Sequence, residues 1–372
     1  MTGGGDVWAA RRQRMARVRA RMEELGVECL LLSLGADLPW VTGYHAMPLE
    51  RLTMLVLATD ADPVLVVPVL EAARVDQDGE VFSLRPWQET EDPVAIVAEL
   101  IGTRRRLGIS DRTWATFLLQ LQARVTDARW HPASLVTAPL RAVKDAVEVQ
   151  ALRSASAAAD RVAARLVAGE IPLVGRTEAE VSADIGRQLR AEGHDRVNFA
   201  IVGSGPNSAS PHHEPGSRRI GPGEAVVCDF GGTMRGYCSD ITRTVFTGHP
   251  PSELRDLYGV VQEAQEKAVA AAVVGTPCED VDATARRIIE EGGYGPFFIH
   301  RTGHGIGLEE HEEPYLVGGN CQPLVAGHSF SIEPGIYLAG RVGARIEDIV
   351  VATDAGPEAL NRVDHGLAVV EG

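Results

Sequence analysis

The chain has 372 residues, 45% of them hydrophobic, and carries 36 basic against 51 acidic side chains for a formal charge of −15. That length and apolar content suit a globular enzyme of two domains. The acidic balance supplies no field to attract nucleic acid or an anionic membrane surface, so neither is expected as a partner.

Residues 8–26 are arginine-rich but set Met15, Val18, Met22 and Leu25 at helical spacing and include Glu23 and Glu24, which predicts an amphipathic helix and not a secretion signal. No segment has the roughly 20 apolar residues needed to span a bilayer, and a cytoplasmic location is expected. The five cysteines, Cys29, Cys228, Cys238, Cys278 and Cys321, never fall into a Cys-x-x-Cys pair and are expected to be buried free thiols. Apolar runs at 29–32, 52–58 and 63–69 read as strands among helical stretches, so residues 1–138 are expected to form an α/β domain with a central sheet. A helix over 143–169, stopped by Gly169 and Pro172, opens a second domain over 139–372.

The second domain repeats itself. Thr177 and Glu180 form a capping box ahead of Val181, Ile185 and Leu189 on one helical face, and Val281, Ala285 and Ile289 recur one hundred positions later. Each helix leads to an apolar run, then glycines, then histidine: Gly203, Gly205 and His212-His213-Glu214-Pro215 in one copy, Gly303, Gly305, Gly307 and His311-Glu312-Glu313-Pro314 in the other. A further helix opens at Ser252, with Leu254, Leu257, Tyr258 and Val261 on one face. The glycines lack the strand, turn and following helix of a dinucleotide fingerprint, since proline and histidine follow within a dozen residues. Two similar α+β halves around a pseudo-twofold axis are therefore expected.

Each half next enters a hairpin carrying two carboxylates. A regular turn centred between Met234 and Arg235 would set Asp229 directly opposite Asp240, about 5 Å apart at Cβ. A turn around Gly340 would likewise oppose Glu333 and Glu347. Singly, such residues are most simply solvated acids, and a lone histidine is most simply structural; duplicated hairpins with inward carboxylates resist that reading. Four carboxylates and His304 make a five-ligand set whose charge two divalent cations would cancel. The oxygen-rich donors favour manganese, with cobalt or zinc as substitutes.

These residues carry a family resemblance. Asp229-Phe230-Gly231-Gly232, Ser239-Asp240-Ile241-Thr242-Arg243-Thr244, Thr302-Gly303-His304-Gly305-Ile306-Gly307-Leu308, His311-Glu312-Glu313-Pro314, Ile332-Glu333-Pro334-Gly335 and Arg345-Ile346-Glu347-Asp348 resemble the motifs of the prolidases, aminopeptidases P and methionine aminopeptidases, whose catalytic domain is the pita-bread fold. The first 138 residues more weakly resemble the creatinase-type N-terminal domain, which points to the Xaa-Pro branch. The fold so implied is an α/β creatinase-like N-terminal domain followed by an α+β pita-bread domain.

The resemblance implies that Asp229 and Asp240 hold one metal and His304 and Glu333 the other, with Asp240 and Glu347 shared. His212 and His311 match substrate-facing histidines, while His213 has no match. Glu333 is the candidate for handling the nucleophile's proton, His311 and His212 for supporting the oxyanion and orienting proline, and Thr242 and Arg345 for holding ligands in place. The implied substrates are peptides with proline second, and family analogy suggests a homodimer. A creatinase-like carbon–nitrogen hydrolase or a binding protein without activity would be expected to have lost ligands that this chain keeps. Residues 314–328 contain no Lys or Arg to grip a dipeptide's free carboxylate, which leans the reading to aminopeptidase P, with a prolidase restricted to dipeptides as the alternative; Arg218 and Arg219 could serve that alternative.

Overall fold

The computed structural model describes residues 4–77 and 79–370, which divide into two compact units, Met1–Leu140 and Arg141–Gly372. The first unit is built on a six-stranded mixed sheet. Its order is Ser83–Trp87, Val64–Pro68, Met54–Ala58, Cys29–Leu32, Arg106–Ile109 and Arg129–Pro132. Cys29–Leu32 is buried along its whole length, which explains why its sequence is uninterrupted apolar and does not alternate. Helices Pro93–Ile101 and Ala115–Arg124 pack Val94, Val97, Ile101, Phe117 and Leu121 onto this sheet's core. The expected N-terminal helix spans Gly4–Leu25, ending at Gly26 with φ 64°.

The second unit carries the repeat. Helices Glu178–Ala191 and Cys278–Glu291 have 14 residues each and lie one hundred positions apart. Val181, Ile185, Leu189, Val281, Ala285 and Ile289 are all fully buried. Thr177 and Glu180 form the expected capping box, with hydrogen bonds of 3.1 and 2.7 Å. The long helix that opens the unit spans Ala146–Val167, starting later than expected because Asp145 caps it against Glu148.

Each half contributes three antiparallel strands in the same spatial order. They are Arg196–Ser204, Ala225–Met234 and Ile241–Thr247 in the first half, and Gly303–Gly305, Ser329–Ile332 and Asp348–Thr353 in the second. The two halves meet where Thr242 bridges Glu347 and Thr244 Oγ1 donates to the Arg345 carbonyl at 2.9 Å. Among the described residues no helix is long and apolar enough to cross a membrane. All five cysteines are free; four are buried, and the exception is exposed Cys321.

The second hairpin has the expected register: Gly335 pairs Arg345 and Leu338 pairs Val342 about Gly340. The first does not. Arg235 and Gly236 both adopt left-handed conformations, with φ of 51° and 89°, forming a two-residue turn between paired Met234 and Tyr237. The hairpin is thus centred one residue later than expected, and Asp229 faces Thr242 instead of Asp240.

Candidate metal centre

The hairpins deliver four carboxylates to one place. Asp229 lies within strand Ala225–Met234, and Asp240 sits at the start of its return strand, just before Ile241. Glu333 and Glu347 occupy the interruptions of the second hairpin, after Ile332 and before Asp348. His304 is the middle residue of Gly303–Gly305, where a register shift after His304 re-aims the chain beside its partner strand. The flanking glycines serve close approach: a Cβ on Gly303 would run into the Ser331 carbonyl oxygen, and one on Gly305 into that of Glu313.

Asp240, His304 and Glu347 present ligand atoms that all lie within 4.8 Å of one another. His304 Nε2 stands 3.4 Å from Glu333 Oε1 and 3.9 Å from Asp240 Oδ2. Asp229 is held at 2.6 Å by Arg345. Asp229, Asp240, His304 and Glu347 are buried and Glu333 is half-buried. All five line a cavity of about 730 Å³, together with His212 and His311.

Electrostatics show what the site wants. Burial, then the charges of Glu347, Asp229 and Glu333, pushes the Asp240 carboxyl well above its usual range. Burial and the neighbouring Glu333 and Asp229 do the same to Glu347, and desolvation with Asp229 nearby raises Glu333 to about 7. Burial lowers His304 to about 3, keeping its imidazole neutral, as a ligand must be. Two buried carboxylate oxygens, Asp229 Oδ1 and Asp240 Oδ1, accept no hydrogen bond among the described residues. Such orphaned oxygens are costly in a cluster of like charges. An oxygen-rich set with one neutral imidazole fits hard divalent cations on both counts.

Arg345, only 2% exposed, holds the cluster together. Besides Asp229, it donates to Thr242 Oγ1 at 3.1 Å and Tyr337 Oη at 2.8 Å, while Thr242 Oγ1 donates to Glu347 Oε2 at 2.7 Å. Replacing it by methionine leaves the carboxylates without an internal cation. Arg345→Met is therefore expected to weaken metal binding by roughly 10–100-fold and to destabilise the chelated protein by about 3–5 kcal/mol. Metal titration and denaturant unfolding check both; unchanged affinity would contradict this role.

Several participants were not singled out from the sequence. Buried Arg243 grips the Glu347 carbonyl at 2.7 Å and Asp348 at 2.8 Å, and Asp348 also bonds His365 at 2.6 Å. Arg243 and Asp348 both lie inside the recognised motifs, so their position was the available signal. His300 and Tyr337, joined at 2.9 Å, and Arg301 had no signal. His213 turns to Glu178 at 2.8 Å and does not line the cavity. Arg218 and Arg219 also lie outside the lining: Arg218 pairs with Glu224 at 2.8 Å, and Arg219 donates to the Gly175 carbonyl at 2.7 Å.

Comparisons with known proteins identify the family and the fold. The model of metallopeptidase family M24 matches residues 150–354, and that of the creatinase/prolidase N-terminal domain matches residues 14–143. A probable dipeptidase PepE of Mycobacterium tuberculosis is 44% identical over 363 residues, covering 96% of this chain and 96% of its own. The crystal structure of dipeptidase PepE from Mycobacterium ulcerans superposes with a TM-score of 0.92 at 44% identity, over 98% of this chain and 99% of that one. The recombinant prolidase of Thermococcus sibiricus gives a TM-score of 0.89 at 37% identity, over 96% and 98%. Matched along nearly its whole length by such relatives, and over more than half of it by the catalytic-domain model, the chain belongs to metallopeptidase family M24 and carries the N-terminal domain of creatinases and prolidases.

Proposed function

We propose that the chain is a dinuclear, manganese-preferring Xaa-Pro dipeptidase, with residues 1–138 as its N-terminal domain and 139–372 as its catalytic domain. The observation that carries this reading is the convergence of Asp229, Asp240, His304, Glu333 and Glu347 on one cavity, two of their buried oxygens lacking any protein partner. The relatives described above are named dipeptidase and prolidase, which favours the dipeptide alternative over the aminopeptidase P expected from the sequence.

In this reading Asp229 and Asp240 would hold one cation and His304 and Glu333 the other, with Asp240 and Glu347 shared. Cations held there would lower the pKa of a bound water and polarise the scissile carbonyl. The chain's own groups then handle the protons. Glu333, whose carboxylate lines the cavity 3.4 Å from His304, is placed to accept the nucleophile's proton. As the C–N bond breaks the leaving proline nitrogen must gain a proton, and Glu333 is placed to return the one it took. His311 is suited to the developing charge. Its Nδ1 lies 3.4 Å from Arg301 Nη2, a group that only donates, so the hydrogen of the neutral ring sits on Nε2 and is free for the substrate. Partial desolvation and the charge of Arg301 lower its pKa, which favours that neutral form. His212, exposed on the cavity wall, orients the proline residue.

The test is substrate length. The kcat/KM of the manganese-loaded enzyme is expected to be at least about tenfold higher for an Xaa-Pro dipeptide than for the matching Xaa-Pro-Yaa tripeptide. Preference for the tripeptide would return the reading to aminopeptidase P.

A further inference from the structure

We propose that Arg301 is the residue that selects dipeptides, pairing its guanidinium with the free carboxylate of the substrate's C-terminal proline. This rests on the dipeptidase reading above. With Asp229, Asp240, Glu333 and Glu347 committed to cations, Glu310 is the acidic lining residue left over, so preferring a free carboxylate to a neutral amide requires a positive side chain beyond the ligand set. Two guanidiniums line the cavity. Arg345 is committed to Asp229, Thr242 and Tyr337. Arg301 is half-buried and forms no ion pair among the described residues. It lies 4.3 Å over the ring of Tyr315, and its contact with His311 is long, at 3.4 Å.

Its position suits the role. Tyr315 stands directly across the strand pair from His304, so the ring that supports Arg301 is anchored to the candidate metal ligand. The His311 and His304 rings are 3.9 Å apart, which puts the guanidinium one side chain beyond the ligand set. In an Xaa-Pro dipeptide the free carboxylate lies one residue past the scissile carbonyl, about 3.5 Å along the chain. A guanidinium held over an aromatic face loses little freedom on pairing and presents two parallel donors to a carboxylate. A longer peptide offers a neutral amide there and forfeits the charge-assisted bond.

Arg301 also touches His311, so a role confined to positioning that ring must be told apart. Loss of carboxylate recognition penalises only substrates with a free carboxylate, whereas misplacement of His311 slows every substrate alike. The experiment measures kcat and KM of the full-length, manganese-loaded enzyme for alanyl-proline and alanyl-prolinamide, in wild type, Arg301→Ala and Arg301→Lys. Arg301→Ala is expected to lower kcat/KM for the dipeptide about 30-fold or more, mainly through KM. The amide should lose at least about tenfold less than the dipeptide, and whatever it does lose reads the contact of Arg301 with His311. Arg301→Lys should recover part of the preference, because the charge remains while the paired donors do not. Equal losses on both substrates, or an unchanged dipeptide value, would overturn the proposal. A wild type that favours the amide would reject the dipeptidase reading itself, and the proposal with it.

Discussion

Asp240→Asn is expected to remove peptide hydrolysis by roughly a thousandfold or more while making the chelated protein harder to melt. The two effects share one cause. Asp240 is 4% exposed, its Oδ1 accepts no bond among the described residues, and its carboxyl is pushed up by burial and by Glu347, Asp229 and Glu333. An amide of the same shape keeps the packing but cannot neutralise a cation, so metal affinity and activity fall together. Without metal the same change takes one negative charge out of a crowded, buried cluster, which relieves repulsion. Thermal melts with chelator should therefore rise in the variant, and added Mn(II) should raise its melting temperature far less than it does in wild type. A variant with near-normal turnover, or one less stable than wild type in chelator, would remove Asp240 from its assigned place.

His311→Ala and His304→Ala are expected to fail in different ways although their rings are 3.9 Å apart. His304 is 2% exposed, with Nε2 facing Glu333 and Asp240, so its loss should deplete bound metal. His311 is exposed within the pocket and has no carboxylate within ion-pair range among the described residues, so in the proposed mechanism it is a donor to the transition state and not a ligand. Its alanine variant should keep its metal and lose about a hundredfold in kcat. Elemental analysis beside steady-state kinetics separates the two. Metal loss in His311→Ala would exchange the assignments.

What the sequence revealed followed local rules. The one-hundred-residue repeat, the capping box at Thr177 and the register about Gly340 depend only on spacing and turn symmetry, and all three stand in the structure. The first hairpin failed because spacing does not disclose that Arg235 takes a left-handed conformation, and that single residue moved Asp229 from Asp240 to Thr242. Strands Ser83–Trp87, Arg106–Ile109 and Arg129–Pro132 were also missed. They are short and carry arginine, histidine, proline and tryptophan, so pairing with neighbours decides their conformation more than composition does.

The site divides along the same line. Its carboxylates and His304 stood out because chemistry and duplication single them out. The groups around them did not: Tyr337 bonds Arg345 across the paired strands of a hairpin, and Arg301 reaches His311 while lying over the ring of Tyr315. Residues 314–328, which follow His311, contain no Lys or Arg, whereas Arg301, just before Thr302-Gly303-His304, lines the cavity.

Titration of Mn(II) into chelator-stripped protein, with cleavage of an Xaa-Pro dipeptide followed at each addition, tests the central claim most directly. Two ions per chain are expected, with activity rising to its maximum only as the second is taken up, and with both the binding and the activity lost in Asp240→Asn. Full activity without metal, a single ion per chain at saturation, or binding that Asp240→Asn leaves intact would contradict it.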